Sequence, residues 1–151
     1  MCLVLLENKA QIAEKPILVF KMLDEYFIGS VRKNYINVKK TPFQSKCVVF
    51  KCGRATLESD LIVEKYYRSD VINIGIHSYQ LLSDAICKKK LIESFNVWGR
   101  EIYYAVIPKG STYYIGKYCE VASDKLIIFK TKEDFEKSEY AKDYDKFAEI
   151  D

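Results

Sequence analysis

The chain of 151 residues holds one histidine, and its setting is the first that could carry chemistry. His77 lies in the segment GIHSY, after a run that reads as a strand and before a run that reads as a helix. Strand-to-helix turns are common sites of function, because a helix N-terminus offers free backbone donors to an anion. His77 is therefore expected to contact a ligand or to move a proton, with Ser78 beside it. The plainer alternative is a structural imidazole that satisfies a carbonyl of the turn. Glu120, in YCEVASDK, is the best single carboxylate. Between two strands it could hold a ribose hydroxyl or act as a general base; otherwise it is a solvated turn residue. Ser123 and Asp124 read as turn formers.

Tyrosine is the other theme. The sequence has twelve, among them adjacent pairs at 66–67, 103–104 and 113–114. Neighbours in a strand face opposite ways, so each pair turns one ring inward and one outward. An outward Tyr104 or Tyr114, near Lys109, Lys117, Arg54 or Arg68, could stack a base and hold its phosphate. The same pairs also serve as ordinary strand formers on a half-buried sheet. Arginine occurs only at 32, 54, 68 and 100, and its bidentate fork makes these the more informative positions for anion binding. The run Lys88–Lys90 reads as a solvated helix face.

Several classes of function find no support. The 24 basic and 21 acidic residues leave a net charge of +3, too mild for the basic footprint of a nucleic-acid-binding domain. The five cysteines (Cys2, Cys47, Cys52, Cys87, Cys119) are scattered without a C-x-x-C pair, and one histidine cannot complete a usual zinc set. They are expected to be free thiols in a reducing compartment. There is no P-loop, no G-x-G-x-x-G and no nucleophile elbow. The start, MCLVLLENKAQ, lacks a basic n-region and a long apolar core, so neither a signal peptide nor a membrane span is expected, and the location implied is cytoplasmic. No metal and no cofactor is expected.

The elements that must position these residues follow from pattern. PILVFKML (16–23) reads as a buried strand, YFIGSV and YINV as short strands, and KCVVFKC (46–52) as a strand ended by Gly53. DLIVEKYY (60–67) fits helix or strand; DVINIGI (70–76) is a strand. Residues 78–95 read as a helix capped by Ser78, with Leu81, Leu82, Ala85, Ile86, Ile92 and Phe95 near one face. Gly99 separates it from the strand EIYYAVI (101–107), which Pro108 ends. STYYIGKY (111–118) and the run Val121–Phe129 give two further strands. Thr131, with an acidic residue three positions on, starts a C-terminal helix whose apolar face is Phe135, Tyr140, Tyr144 and Phe147. The fold class is α+β: a single compact domain over 1–151, a mixed, mainly antiparallel sheet, a central helix and a C-terminal helix.

GIHSY, followed by YYAVIPKGSTYYIGKYCEVASDKLII, resembles small uncharacterised phage and prophage proteins that carry a G-[FI]-H-S turn, an IPKG-x-x-Y turn and an E-x-x-S-x-K segment. The likeness covers 70–130 and brings no established activity. More distantly, the layout is similar to the ADP-ribosyltransferase-like fold. That resemblance would put Lys21 where the family has Arg or His, Ser78 at its serine motif and Glu120 at its catalytic glutamate. Lys21 lacks the bidentate fork, and Tyr118 stands where a second acidic or Gln residue is expected. Residues and resemblance together favour a non-enzymatic, phage-encoded binding protein for a small nucleotide-like anion, sequestering a host signal in counter-defence. Its site would draw on Lys21, His77, Ser78, Tyr104, Lys109, Tyr114 and Glu120. The alternatives are an NAD-using enzyme that transfers ADP-ribose, and an interaction domain for a host protein. A tight nucleotide site commonly lies between subunits, so a homo-oligomer is one expected form.

Overall fold

Alternation in the segment ILVFKML governs the architecture, because both of its faces are apolar but for one lysine. The computed structural model describes residues 3–28, 31–38, 44–96 and 100–147, with the backbone alone between 24 and 47. Its first half comprises β1 (Leu3–Val4), β2 (Gln11–Ile12), β3 (Ile17–Ile28), β4 (Val31–Val38), β5 (Gln44–Cys47), β6 (Arg54–Glu58), β7 (Ile62–Tyr66), β8 (Ser69–Ile74) and β9 (Ile76–Tyr79). Helix α1 (Leu82–Ser94) follows, then β10 (Arg100–Ile107), β11 (Thr112–Ile115), β12 (Glu120–Ser123) and β13 (Lys125–Phe129). Helix α2 (Lys132–Glu136), a 3₁₀ turn (Glu139–Ala141) and β14 (Asp145–Lys146) complete the order. The fold is α+β and strand-dominated. None of the described helices is long and apolar enough to cross a membrane.

The large sheet runs β2-β11-β12-β9-β3-β10-β13-β6, with neighbours antiparallel. β3 is its centre: β10 takes one edge from Arg100 to Ile107, while β14, β9 and β4 share the other. The pairing with β14 is the parallel one. A smaller sheet, β1-β8-β7, packs Leu3, Leu5 and Ile72 against Ala122 of β12.

The pleat sorts β3 between two cores. Ile17, Val19 and Leu23 join Ala105, Ile107, Leu126 and Ile128 on one face. Leu18 and Phe20 join Val106, Ile127 and Phe129 on the other, beneath Ala85 of α1 and Phe135 of α2. Burying an aliphatic or aromatic side chain contributes about 1.5–3 kcal/mol, so this doubly buried strand anchors both layers.

The structure departs from the sequence pattern at several points. α1 begins at Leu82 with Leu81 in the N-cap position, and Ser78 is not its cap. Residues 76–79 pair instead with 120–123, and that ladder takes the backbone groups a helix would need. Of the six residues assigned to the apolar helix face, Ala85 is fully buried while Phe95 is 72% exposed. The run 121–129 is not one strand. It divides at Asp124, whose N–H donates to Thr112 O and whose Oδ1 accepts from Thr112 N at 3.0 Å. DLIVEKYY resolves as strand, and the strand expected through Cys52 stops at Cys47. Cys2, Gly29, Ser30 and Gly99 lie outside the described residues.

The C-terminal helix starts as expected and then stops early. The Thr131 hydroxyl accepts from Asp134 N, and the Asp134 carboxylate accepts from Thr131 N, a complete capping box. Ser138 ends the helical path: it is extended, its hydroxyl donates to Phe135 O at 2.6 Å, and it accepts from Tyr140 N. Tyr140 and Tyr144 still reach the same core as Phe135, from the 3₁₀ turn and the segment after it. Phe147 packs on the opposite core.

Gly53 locks this corner to the sheet. Its φ is +78°, its carbonyl accepts from Lys130 N, and a Cβ there would collide with Asp134 Oδ1. Gly110 has φ +86° with nothing within 4 Å of its would-be Cβ. Gly110→Ala is therefore expected to lose only the left-handed backbone cost of about 1–2 kcal/mol. Gly53→Ala should lose clearly more, because the methyl must also push Asp134 off Thr131. Urea denaturation of the two variants measures the difference.

Candidate functional site

The central strand separates the residues that the sequence singles out. Lys21 lies on the pleat face of Val19 and Leu23, is 9% exposed, and donates from Nζ to His77 O at 2.6 Å. Ser78 is on the same face, one strand away, paired with Val121 and buried. Lys21 and Ser78 are thus brought together. Glu120 is not with them: it pairs with Tyr79, whose ring packs on the opposite core. Burial, and then the Glu120 carboxylate, push the Tyr79 hydroxyl up to about 12. Alternation places the half-buried His77 side chain on Tyr79's face, and its carbonyl on Lys21. The thiol of nearby Cys119 is pushed up by burial and by Asp84.

Two other residues lie apart. Tyr114 packs against the Leu3, Leu5 and Ile72 core as a structural ring. Lys109 is exposed in the turn after β10. Among the described residues, no group of three His, Cys, Asp or Glu side chains is arranged to hold a metal ion.

Tyr104 leads to a cleft. β10 sets it on the helix-covered face of the sheet, where its ring meets Phe20 edge-on at 5.2 Å and tilts against Phe135 at 5.6 Å. Phe135 in turn meets Tyr144 at 5.6 Å. These rings and Leu18 line a hollow of about 350 Å³ between the start of α1 and the α2–3₁₀ segment. Polar groups ring its mouth. Lys132 Nζ stands 5.8 Å from the Tyr104 ring centre, with Lys146 and Gln80 also on the lining. Gln80 Nε2 donates to Glu120 O at 3.3 Å, which fixes that side of the rim to β12. Glu136 is the one carboxylate on this lining, and it pairs with Lys132 at 3.9 Å.

The cleft therefore combines aromatic faces with exposed ammonium groups. Stacking of a planar ring and attraction of an anion are what such a lining does. Phe20, Phe135, Tyr144, Lys132 and Lys146 carry no individual mark in the sequence. The one available signal is the aromatic spacing after Thr131.

No protein-family model matches this chain, and no curated protein or solved structure does so either.

The outer wall of the cleft is fastened by one ion pair. Arg54 donates from both terminal nitrogens to Glu139, at 2.8 and 2.9 Å, and lies over the rings of Phe129 and Tyr140. The Arg54 hydrogen bonds, and then the backbone N–H of Glu139 itself, hold the Glu139 carboxyl down to about 2. A carboxyl lowered on folding contributes fully above its ordinary value, 4.5 here, and loses that contribution as the pH falls towards about 2. The Glu139 side chain is 61% exposed, so solvent screening keeps the gain to about 1 kcal/mol or less. Acid titration of stability should show this loss in the native chain, and the loss should be absent in Glu139→Gln.

Proposed function

We propose that the protein is a non-enzymatic binding protein that captures a nucleotide-like anion in the cleft above β3 and β10. The observation that carries this reading is the aromatic lining of Phe20, Tyr104, Phe135 and Tyr144 beneath Lys132 and Lys146. A hollow of about 350 Å³ falls within the size range of small-ligand sites. The base would stack among the rings and the phosphate would meet the ammonium groups. Lysine suits this role as a mobile point charge at a rim.

Capture without turnover fits the side chains present. An ADP-ribosyl transfer would need Lys21, Ser78 and Glu120 around one ligand, whereas the sheet lies between the first two and the third. The likeness to prophage proteins suits sequestration of a host signal nucleotide in the cytoplasm, as a form of counter-defence.

A thermal-shift screen of nucleotides tests the proposal. A ligand at about 100 times its dissociation constant should stabilise the fold by about 2.7 kcal/mol. Tyr104→Leu keeps apolar volume but removes the stacking face, which is worth about 1–3 kcal/mol per base, so affinity should fall about tenfold or more. A shift undiminished in Tyr104→Leu, or silence across the nucleotides, would sink the idea.

A host-protein partner is a second reading, and α1 favours it. Cys87, Leu91 and Phe95 follow one another at helical spacing and are all exposed, Leu91 by 51% and Phe95 by 72%. On that reading, Phe95→Ser should abolish co-purification of the partner while leaving nucleotide shifts untouched. Unchanged co-purification would remove it.

A further inference from the structure

The cleft does not end at Tyr104. Beside that ring lies a wider hollow of about 490 Å³, lined by β10 from Glu101 to Tyr104 and by the chain from Phe129 to Lys132. Tyr104 and Lys132 line both hollows, so a ligand seated on the Tyr104 ring has a path past Lys132 into the second.

The cations along that path stand on fixed backbone. β13 pairs with β10 at Ile127 and Ile128, and the chain then turns away. Lys130 N donates to Gly53 O, and Thr131 opens α2 with its complete capping box. Lys130 and Lys132 are the residues on either side of that cap. Lys130 is exposed and has no ion pair among the described residues, and Lys132 reaches Glu136 only at 3.9 Å. An ammonium on a flexible stem is suited to the oxygens of a phosphate chain.

The carboxylates set the direction. Glu136 lines the first hollow and repels a phosphate tail from it. In the second, Glu101 is the one carboxylate on the lining, and Lys89 Nζ offsets it from 3.3 Å. Asp134 lies outside both linings and is taken up by the backbone N–H and hydroxyl of Thr131. An anionic chain therefore gains more by passing Lys132 towards Lys130 than by staying among the rings.

We infer that the second hollow takes the outer phosphates of the ligand, so that the protein selects nucleoside di- and triphosphates over monophosphates. This rests on the reading that the first cleft takes the base. The base stacks on Tyr104, the first phosphate meets Lys132 and the outer phosphates meet Lys130. A monophosphate reaches Lys132 alone.

Calorimetric titration with AMP, ADP and ATP, and with GMP, GDP and GTP, all without divalent metal, tests this. In at least one series the affinity should rise about tenfold or more from mono- to triphosphate, the scale of one charge-assisted contact. Lys130→Ala should abolish most of that rise and leave the monophosphate affinity unchanged. Lys109 lines neither hollow, so Lys109→Ala makes the same charge change and should leave the rise intact. Both lysines are exposed, so the variants should fold, and their melting temperatures check that. No rise along either series, or a rise that the two variants reduce equally, would overturn the phosphate path and leave the base cleft standing. Binding of none of the six would overturn both.

Discussion

β3 is buried on both faces over its first five residues, and the rest of the molecule is arranged around that constraint. Ile17, Val19 and Leu23 need one apolar layer, and Leu18 and Phe20 need another. A strand buried on both sides requires partners at both edges, which β10 on one side and β14, β9 and β4 on the other provide. The helices are then confined to the Leu18–Phe20 side, where Ala85 and Phe135 close the layer. Lys21 is the one charge in this segment, and it is tolerated because its ammonium reaches the His77 carbonyl. The cleft is a consequence of the same arrangement. It is the space between the start of α1 and the α2–3₁₀ segment, which cover the same face.

Much of the fold was legible because local pattern and global packing agree there. The run 16–23 and the run 101–107 are apolar and β-branched, and they pair with each other in full register. The Thr131 cap needs only residues three apart, so it could be read directly. Misreadings arose where a distant contact decides. Asp124 reads as a turn former on its own residue type, but nothing near it announces that Thr112 will be the residue that holds it there. Nothing near Ser78 announces that Val121 will draw it into a ladder. Apolar spacing predicts α1, yet Ile86 and Phe95 of the expected face are exposed, so that periodicity is only partly a packing signal.

The candidate site was legible in one residue. Tyr104 is singled out in the sequence as an outward ring, whereas its ring and that of Tyr103 pack on the two opposite cores. Its companions come from β3, from α2 and from the segment before β14, and no spacing rule links Phe20 to Phe135 or Tyr144. Lys21, Ser78 and Glu120 illustrate the opposite limit. Each is well placed in its own segment, but the parity of the pleat decides the face, and one residue of register separates the two sides of a sheet.

The pairing of β3 also bears on how the chain folds. Ile17 meets Ile107 on one side and Asp145 on the other, and Phe20 meets Tyr79. Every ladder that buries this half of the strand thus closes a long loop, and loop closure must precede the stabilising contacts. An apolar segment near the start of the chain stays without its partners until residues far downstream are available. During that interval PILVFKML is an exposed β-prone run with little charge, the kind of segment that invites association with other chains. The lysine in its middle then acts as more than a donor to His77: it interrupts the one stretch of this sequence best suited to self-association.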